Sequence, residues 1–214
     1  MDQHTEHFAE QHSTPELPIL HKIHRETYIR MPFPRMLSGH LQGSLLQMLS
    51  KMIKPERILE VGTFTGYSAI CLAQGLSENG WMDTIELNAE LEDVLMGYFR
   101  EAGLDDKIYL HIGDALKVIP EITRGETELF DMVFLDADKE QYLEYYQLTL
   151  NAVKTGGYIL IDNVLWGGKV LKEPSASDKE AMGVYRLNEF IRNDNRVERL
   201  LLPLRDGIYI LRKL

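Results

Sequence analysis

The stretch that decides the fold is Arg57-Ile58-Leu59-Glu60-Val61-Gly62-Thr63-Phe64-Thr65-Gly66-Tyr67-Ser68. Its first five residues are mostly apolar and predict a short buried strand, and the residues after Gly66 have the apolar spacing of a helix. Glycines at 62 and 66 indicate a tight turn where the backbone can approach a ligand, beside the free amide groups of the following helix. The spacing G-x-x-x-G is not the dinucleotide fingerprint G-x-G-x-x-G, so a tight turn without a ligand explains these glycines equally well.

From residue 57 onward, short apolar runs alternate with amphipathic helical patterns. This alternation predicts an α/β fold with a mostly parallel sheet and helices on both faces. The last two runs, at 197–202 and 207–212, are joined by only four residues, and such a short link forces an antiparallel hairpin. The other runs lie at residues 57–61, 81–85, 108–112, 132–135 and 158–161, and the helical patterns lie near 67–77, 88–102, 115–122 and 141–153.

A helical extension precedes this alternating pattern. The polar residues 1–14 predict a frayed terminus, although the three histidines among them leave a metal-binding tail as an alternative. Helices are expected at residues 15–29 and 38–53, with a proline-rich break between them. No linker or repeat divides the chain, so we expect a single domain over residues 1–214, with residues 1–35 as its N-terminal extension.

The composition narrows the class of protein. With 214 residues, 44% of them hydrophobic, the chain suits one soluble domain, and its net charge of −10 disfavours non-specific binding to nucleic acid. Arg25, Arg30 and Arg35 could still form a local basic patch. No apolar run approaches the roughly 20 residues of a membrane span, and the N-terminus lacks a signal-peptide core. The single cysteine, Cys71, fits a reducing compartment, so we expect a cytoplasmic protein with no membrane partner.

Acidic or amide side chains follow the predicted parallel strands. Ligands of open α/β sheets bind outside the carboxyl ends of the strands, so these side chains are candidates for binding. Glu86 follows Gly62 by 24 residues, near the roughly 20 expected of a carboxylate that accepts from ribose hydroxyls. Each acid alone could be a helix cap, but several at one edge would repel each other unless a cation or a hydroxyl-rich ligand lies among them. The set is Glu60, Glu86, Asp114, Asp136, Asp138, Asp162 and Asn163.

Three of these residues predict a metal site. The fourth and fifth strands should be neighbours, which would bring Asp136, Asp162 and Asn163 together. Two carboxylates and an amide oxygen suit a hard cation, Mg²⁺ first and Mn²⁺ or Ca²⁺ as alternatives. Lys139 could act as a general base beside them, although a solvated lysine explains its position equally well.

These residues lie in motifs of a known family. The matching motifs are LEVGTFTGYS at 59–68, FLDADK at 134–139, GGYILIDNVLWGGKV at 156–170 and a terminal Asp206-Gly207. On these motifs, the chain resembles the cation-dependent, S-adenosylmethionine-using O-methyltransferases of the caffeoyl-CoA and catechol type. The resemblance runs from about residue 36 to the C-terminus, so residues 36–214 are the family-like core. It implies a Rossmann-like seven-stranded sheet, mostly parallel with an antiparallel last strand.

The resemblance also implies the roles of individual residues. Glu86 would bind the ribose hydroxyls of S-adenosylmethionine, and Ala115 would touch its adenine. Asp136, Asp162 and Asn163 would be the metal ligands, and Lys139 matches the position of the proposed base. Trp166 would line the acceptor pocket, although an isolated tryptophan could also belong to the core. The full set implied for cofactor binding is Met36, Ser38, Glu60, Gly62, Thr63, Ser68, Glu86, Asp114, Ala115, Asp136 and Asp138.

The implied activity is divalent-cation-dependent methyl transfer from S-adenosylmethionine to a hydroxyl of a small catechol-like or vicinal-diol aromatic acceptor. Asp136 and Lys139 would be its catalytic residues, with the cation directing the acceptor hydroxyl. One alternative is methylation of 5-hydroxyuridine in tRNA, which only the arginine patch at 25–35 favours. A second alternative is a non-catalytic S-adenosylmethionine-binding protein. The resemblance further implies a homodimer, with the N-terminal helices as a candidate interface.

Overall fold

The strands of the protein form one seven-stranded sheet. The structure, a computed structural model, describes residues 3–124 and 129–214. Its strands are β1 (Arg57–Val61), β2 (Trp81–Glu86), β3 (Ile108–Ile112), β4 (Phe130–Leu135), β5 (Val153–Ile161), β6 (Val197–Leu202) and β7 (Ile208–Lys213). Their order in the sheet is β3-β2-β1-β4-β5-β7-β6. The predicted fold class, a mostly parallel Rossmann-like sheet with helices around it, is confirmed.

The register of the strands positions the candidate site. β2 and β3 pair in parallel, and so do β4 and β5, whose last paired residues are Leu135 and Ile161. β7 pairs antiparallel with both β5 and β6, so the predicted terminal hairpin is confirmed and lies with β7 inside the sheet. Asp136 and Asp162 therefore leave the sheet side by side, at the carboxyl ends of two adjacent strands.

The fifth strand differs from the sequence prediction. It begins at Val153, directly after a helix, rather than at residue 158. Pairing with β4 shifts between Phe130 and Met132, whose partners are Val153 and Tyr158. Gly156, with φ of +84°, lies in this bulge. A bulge adds residues to one strand that have no partner on the other, so it interrupts the regular apolar pattern of a strand. For this reason the sequence pattern predicted only the second half of β5.

Eight α-helices lie in the described part of the chain: α1 (Gln3–Gln11), α2 (Pro18–Arg30), α3 (Gly39–Ile53), α4 (Tyr67–Ala73), α5 (Glu92–Glu101), α6 (Ala115–Thr123), α7 (Tyr142–Ala152) and α8 (Lys179–Arg192). The expectation of a frayed terminus is wrong over Gln3–Gln11, where the structure has α1, and Met1 and Asp2 lie outside the described residues. No described helix is both long and apolar enough to cross a membrane. The cytoplasmic location stays a prediction.

The chain divides into two compact units. One comprises Met1–Ile58 and Thr63–Gly113, and the other comprises Leu59–Gly62 and Asp114–Leu214. In the first unit, α4 is buried at every position, because it follows the glycine turn directly into the core. In the second unit, the last four residues of β4 are fully buried, as expected of a strand covered on both faces. That the whole chain is a single domain stays a prediction.

Candidate active site

Gly62 lets the end of β1 approach the end of β4 in the second unit. Its φ of +99° is a conformation that L side chains rarely adopt. A Cβ built on Gly62 would overlap the backbone carbonyl of Asp136, and the Asp136 amide donates to the Val61 carbonyl at 2.9 Å. The first glycine of the turn is thus required by a close backbone contact, which the sequence alone did not distinguish from an ordinary turn.

A buried network of hydrogen bonds joins the ends of β4 and β5. Lys139 Nζ donates to Asp136 Oδ1 at 2.8 Å and to the Tyr142 hydroxyl at 2.5 Å. The Tyr142 hydroxyl donates in turn to the Asp162 carbonyl oxygen at 3.2 Å. Lys139 is only 7% exposed, and Tyr142 and Asp162 are also buried. The interpretation of Lys139 as a solvated surface lysine is therefore wrong, because its ammonium lies between a carboxylate and a phenol in the protein interior.

Tyr142 keeps its proton in this environment. Burial raises the pKa of the Tyr142 phenol well above its usual value, and the negative charges of Asp136, Asp162 and Asp138 raise it further. The neutral phenol can accept from Lys139 while it donates to the Asp162 carbonyl. Tyr142 was not among the residues singled out from the sequence. Its only signal there is its position three residues after Lys139, which puts both on one side of a helical turn.

The predicted metal ligands are neighbours at these strand ends. Asp162 is 3% exposed, and its Oδ1 accepts from the Asn163 amide at 2.8 Å. Asn163 has φ of +55°, a left-handed conformation that asparagine tolerates better than most residues. Hard oxygen donors from two adjacent strand ends fit a cation such as Mg²⁺.

A metal site is nevertheless only a prediction for this chain. Within residues 3–124 and 129–214, no group of three His, Cys, Asp or Glu side chains is arranged to hold a metal ion. The predicted set differs from such a group because its third donor is the amide of Asn163. In the structure, the Lys139 ammonium contributes positive charge next to Asp136.

The Asp206-Gly207 motif shapes the loop after β5. Asp206 Oδ1 accepts from the Gly167 amide at 2.6 Å, and the Asp206 carbonyl accepts from the Leu165 amide at 2.8 Å. A Cβ on Gly207 would collide with the Leu165 side chain, so glycine is needed there. Trp166, with φ of +44°, is half-buried in this loop, and its role in an acceptor pocket stays a prediction.

The turn of residues 63–66, in the first unit, is held by side chains of β2. Glu86 Oε2 accepts from the Phe64 amide at 2.7 Å, and its Oε1 accepts from the Asn88 amide at 2.8 Å. Thr63 Oγ1 is hydrogen-bonded to Thr84 Oγ1 at 2.6 Å. Each carboxylate oxygen of Glu86 can accept a second hydrogen bond, so these contacts leave room for the predicted ribose contact.

The other predicted cofactor residues have varied environments. Ser38 and Ser68 of the first unit are buried, whereas Met36 is 58% exposed. In the second unit, Glu60 and Ala115 are buried. Two of the predicted acids cap helices: Asp114 Oδ1 accepts from the Leu116 amide, and the exposed Asp138 accepts from the Glu140 amide. Helix capping alone explains why acidic residues stand at positions 114 and 138. The cofactor roles of all these residues stay predictions.

Comparison with solved structures agrees with this fold. One similar structure is the O-methyltransferase TomG from Streptomyces achromogenes, which is involved in tomaymycin synthesis and was solved in complex with SAM. Its TM-score is 0.91 and its sequence identity 30%, and the match covers 100% of this chain and 99% of TomG. An O-methyltransferase from Bacillus cereus, solved with SAH, has a TM-score of 0.90 and 28% identity over 98% of this chain and 97% of its own. The sheet, in which the antiparallel β7 lies between β5 and β6, therefore has the topology of these O-methyltransferases.

Sequence comparison identifies the family. The O-methyltransferase family model matches residues 10–214. Caffeoyl-CoA O-methyltransferase 1 from Eucalyptus globulus is 34% identical over 98% of this chain and 87% of its own length, and caffeoyl-CoA O-methyltransferase from Medicago sativa is 34% identical over 89% and 80%. The chain belongs to the O-methyltransferase family, and the resemblance inferred from the motifs is confirmed.

Proposed function

We propose that this protein transfers a methyl group from S-adenosylmethionine to a hydroxyl of a small catechol-like or vicinal-diol aromatic acceptor, with a divalent cation bound at Asp136, Asp162 and Asn163. The observation that carries the proposal is the buried lysine between a carboxylate and a phenol at the ends of two paired strands. The solved relatives with SAM or SAH and the caffeoyl-CoA relatives support the donor and the acceptor class. A cytoplasmic, homodimeric enzyme is part of the proposal.

Lys139 is suited to move the acceptor proton. Its Nζ is fixed by Asp136 Oδ1 and the Tyr142 hydroxyl, so its position does not depend on a flexible exposed side chain. Once neutral, this amine would accept the proton of the acceptor hydroxyl, and the oxyanion so formed would attack the methyl group of the donor. The bond between that methyl group and the sulfonium sulfur would break as the new oxygen–carbon bond forms, and S-adenosylhomocysteine would leave. Fixing the base in advance lowers the entropic cost of reaching the reactive geometry.

Asp136, Asp162 and Asn163 would hold the cation. When bound, a divalent cation would supply Lewis acidity that favours ionisation of an acceptor hydroxyl. Two observations support this assignment: Asp162 is buried at the end of β5, and its Oδ1 accepts from the Asn163 amide at 2.8 Å.

The test is methyl transfer from isotopically labelled S-adenosylmethionine to a panel of catechols, with Mg²⁺ or with EDTA. We expect turnover with Mg²⁺ and its loss with EDTA, restored by excess Mg²⁺. Lys139→Met should lower kcat by a factor on the order of 10² to 10⁴. The matched control is Lys154→Met, since Lys154 makes an ion pair of the same 2.8 Å length with Asp131. Equal activity of the two variants would exclude Lys139 as the base.

The same assay separates the alternatives. Turnover that EDTA leaves unchanged would remove the cation from the mechanism. Activity on hypomodified tRNA but on none of the diols would select the tRNA reaction. Donor binding without turnover on any acceptor would select the non-catalytic alternative.

A further inference from the structure

The N-terminal helix α2 is hydrogen-bonded directly to the turn of residues 63–66. Thr27 Oγ1 of α2 donates to Thr65 Oγ1 at 3.0 Å. Both threonines are 1% exposed, so water does not compete for the bond. The two residues are 38 positions apart in the sequence, and no motif links them.

This turn has a strained backbone that needs support. Phe64 has φ of +49°, which is unfavourable for a residue with a bulky side chain. Such a conformation persists only where the surroundings determine it. Three side chains do so: Thr84 binds Thr63, Glu86 binds the Phe64 amide and Thr27 binds Thr65. The first two come from β2, and the third comes from outside the sheet.

We propose that Thr27 is a positioning residue for the methyl donor. By fixing Thr65, it holds the 63–66 turn in the conformation that receives S-adenosylmethionine, so the N-terminal extension controls donor affinity. This inference rests on the proposed function and on the cofactor residues that the motif resemblance implies, which include Thr63 of this turn.

Helix α2 does not depend on Thr27 for its attachment. Leu20 and Ile23 bury the helix against the core of the first unit. The Tyr98 hydroxyl also donates to Glu26 Oε2 at 2.8 Å. Substitution of Thr27 should therefore release the turn while α2 remains docked, which separates a positioning role from a general role in folding.

The experiment measures the dissociation constant of S-adenosylhomocysteine by isothermal titration calorimetry, using the full-length protein. Thr27→Val keeps the shape and removes the hydroxyl, and we expect binding to weaken roughly five- to tenfold. Thr27→Ser restores the hydroxyl and should bind within about twofold of the wild type. The KM for S-adenosylmethionine should rise in Thr27→Val with little change in kcat.

The matched control is Thr149→Val. Thr149 is also fully buried, and its Oγ1 donates to the Tyr145 carbonyl at 2.8 Å within α7. This variant loses a comparable hydrogen bond in the second unit, so we expect a lower melting temperature but unchanged donor binding. Thr65→Val and the Thr27/Thr65 double variant should weaken binding equally, since both remove the same bond.

Two results would overturn the inference. One is wild-type affinity in Thr27→Val, and the other is an equal loss of affinity in Thr149→Val. If the wild-type protein binds S-adenosylhomocysteine, either of these results rejects the role of Thr27 and leaves the proposed function intact. Failure of the wild-type protein to bind it at all would instead reject the donor in the proposed function, and this inference with it.

Discussion

Replacing Gly62 by alanine tests the close approach of the β1 and β4 ends. Two costs apply at this position. The φ of +99° strains any L side chain by about 1–2 kcal/mol, and the overlap of a Cβ with the Asp136 carbonyl adds about 1–3 kcal/mol of overpacking. The free energy of unfolding should fall by about 2–5 kcal/mol, which for a chain of this length lowers the melting temperature on the order of 10 °C.

Two other glycines separate these costs. Gly103 has φ of +67° but no atom within 4 Å of a built Cβ, so Gly103→Ala should lose only about 1 kcal/mol. Gly97 lies in α5 with neither a positive φ nor a neighbour within 4 Å, so Gly97→Ala should gain about 0.5–1 kcal/mol from higher helix propensity.

The assay is thermal unfolding followed by far-ultraviolet circular dichroism, with urea unfolding of each variant to obtain free energies. The expected order of stability is Gly97→Ala, wild type, Gly103→Ala and then Gly62→Ala. A Gly62→Ala protein as stable as Gly103→Ala would refute the reasoning, because the backbone of Asp136 would then not lie where a Cβ meets it.

Two further predictions concern buried side chains of the second unit. Tyr142→Phe removes one of the two hydrogen-bond acceptors of Lys139, so kcat should fall by about tenfold. The control is Tyr145→Phe, which loses only a hydrogen bond to Gln141 and should keep its kcat. Equal rates for the two variants would contradict the role of the Tyr142 phenol. For Asp194, hydrogen bonds from Arg196 lower the pKa to about 2, so its stabilising effect is complete above its ordinary pKa and is lost as the pH falls through about 2. At pH 7, Asp194→Asn should lower the free energy of unfolding by up to about 2 kcal/mol, an upper bound because the Arg196 side chain is 54% exposed and water screens the ion pair. At pH 3, the loss should be about half as large. Urea unfolding at the two pH values measures the difference, and a cost that does not change with pH would show that the Asp194 carboxylate is not stabilised by its charge.

Much of the fold follows from local sequence patterns. Alternating apolar runs and helical patterns predicted all seven strands, and the four-residue link between the last two required their antiparallel pairing. The terminal Asp206-Gly207 and the acids after β4 and β5 were visible as motifs. These features are readable because strand and helix periodicity, and the reach of a short link, are properties of neighbouring residues.

The departures from the sequence prediction arise where packing and strand pairing decide the surroundings of a residue. The early start of β5 depends on a bulge against β4. Lys139 could equally have been a surface lysine until its burial between Asp136 and Tyr142 was known.

By itself, the sequence determined the order of strands and helices along the chain, the family, and which chemical groups lie at the strand ends. Only the tertiary structure decided which of those groups meet. The bond between Thr27 and Thr65 spans 38 residues, and the bond between Tyr142 and the Asp162 carbonyl spans 20. Pairings at such separations depend on how whole helices pack, and packing is set by the complementary shapes of many side chains at once.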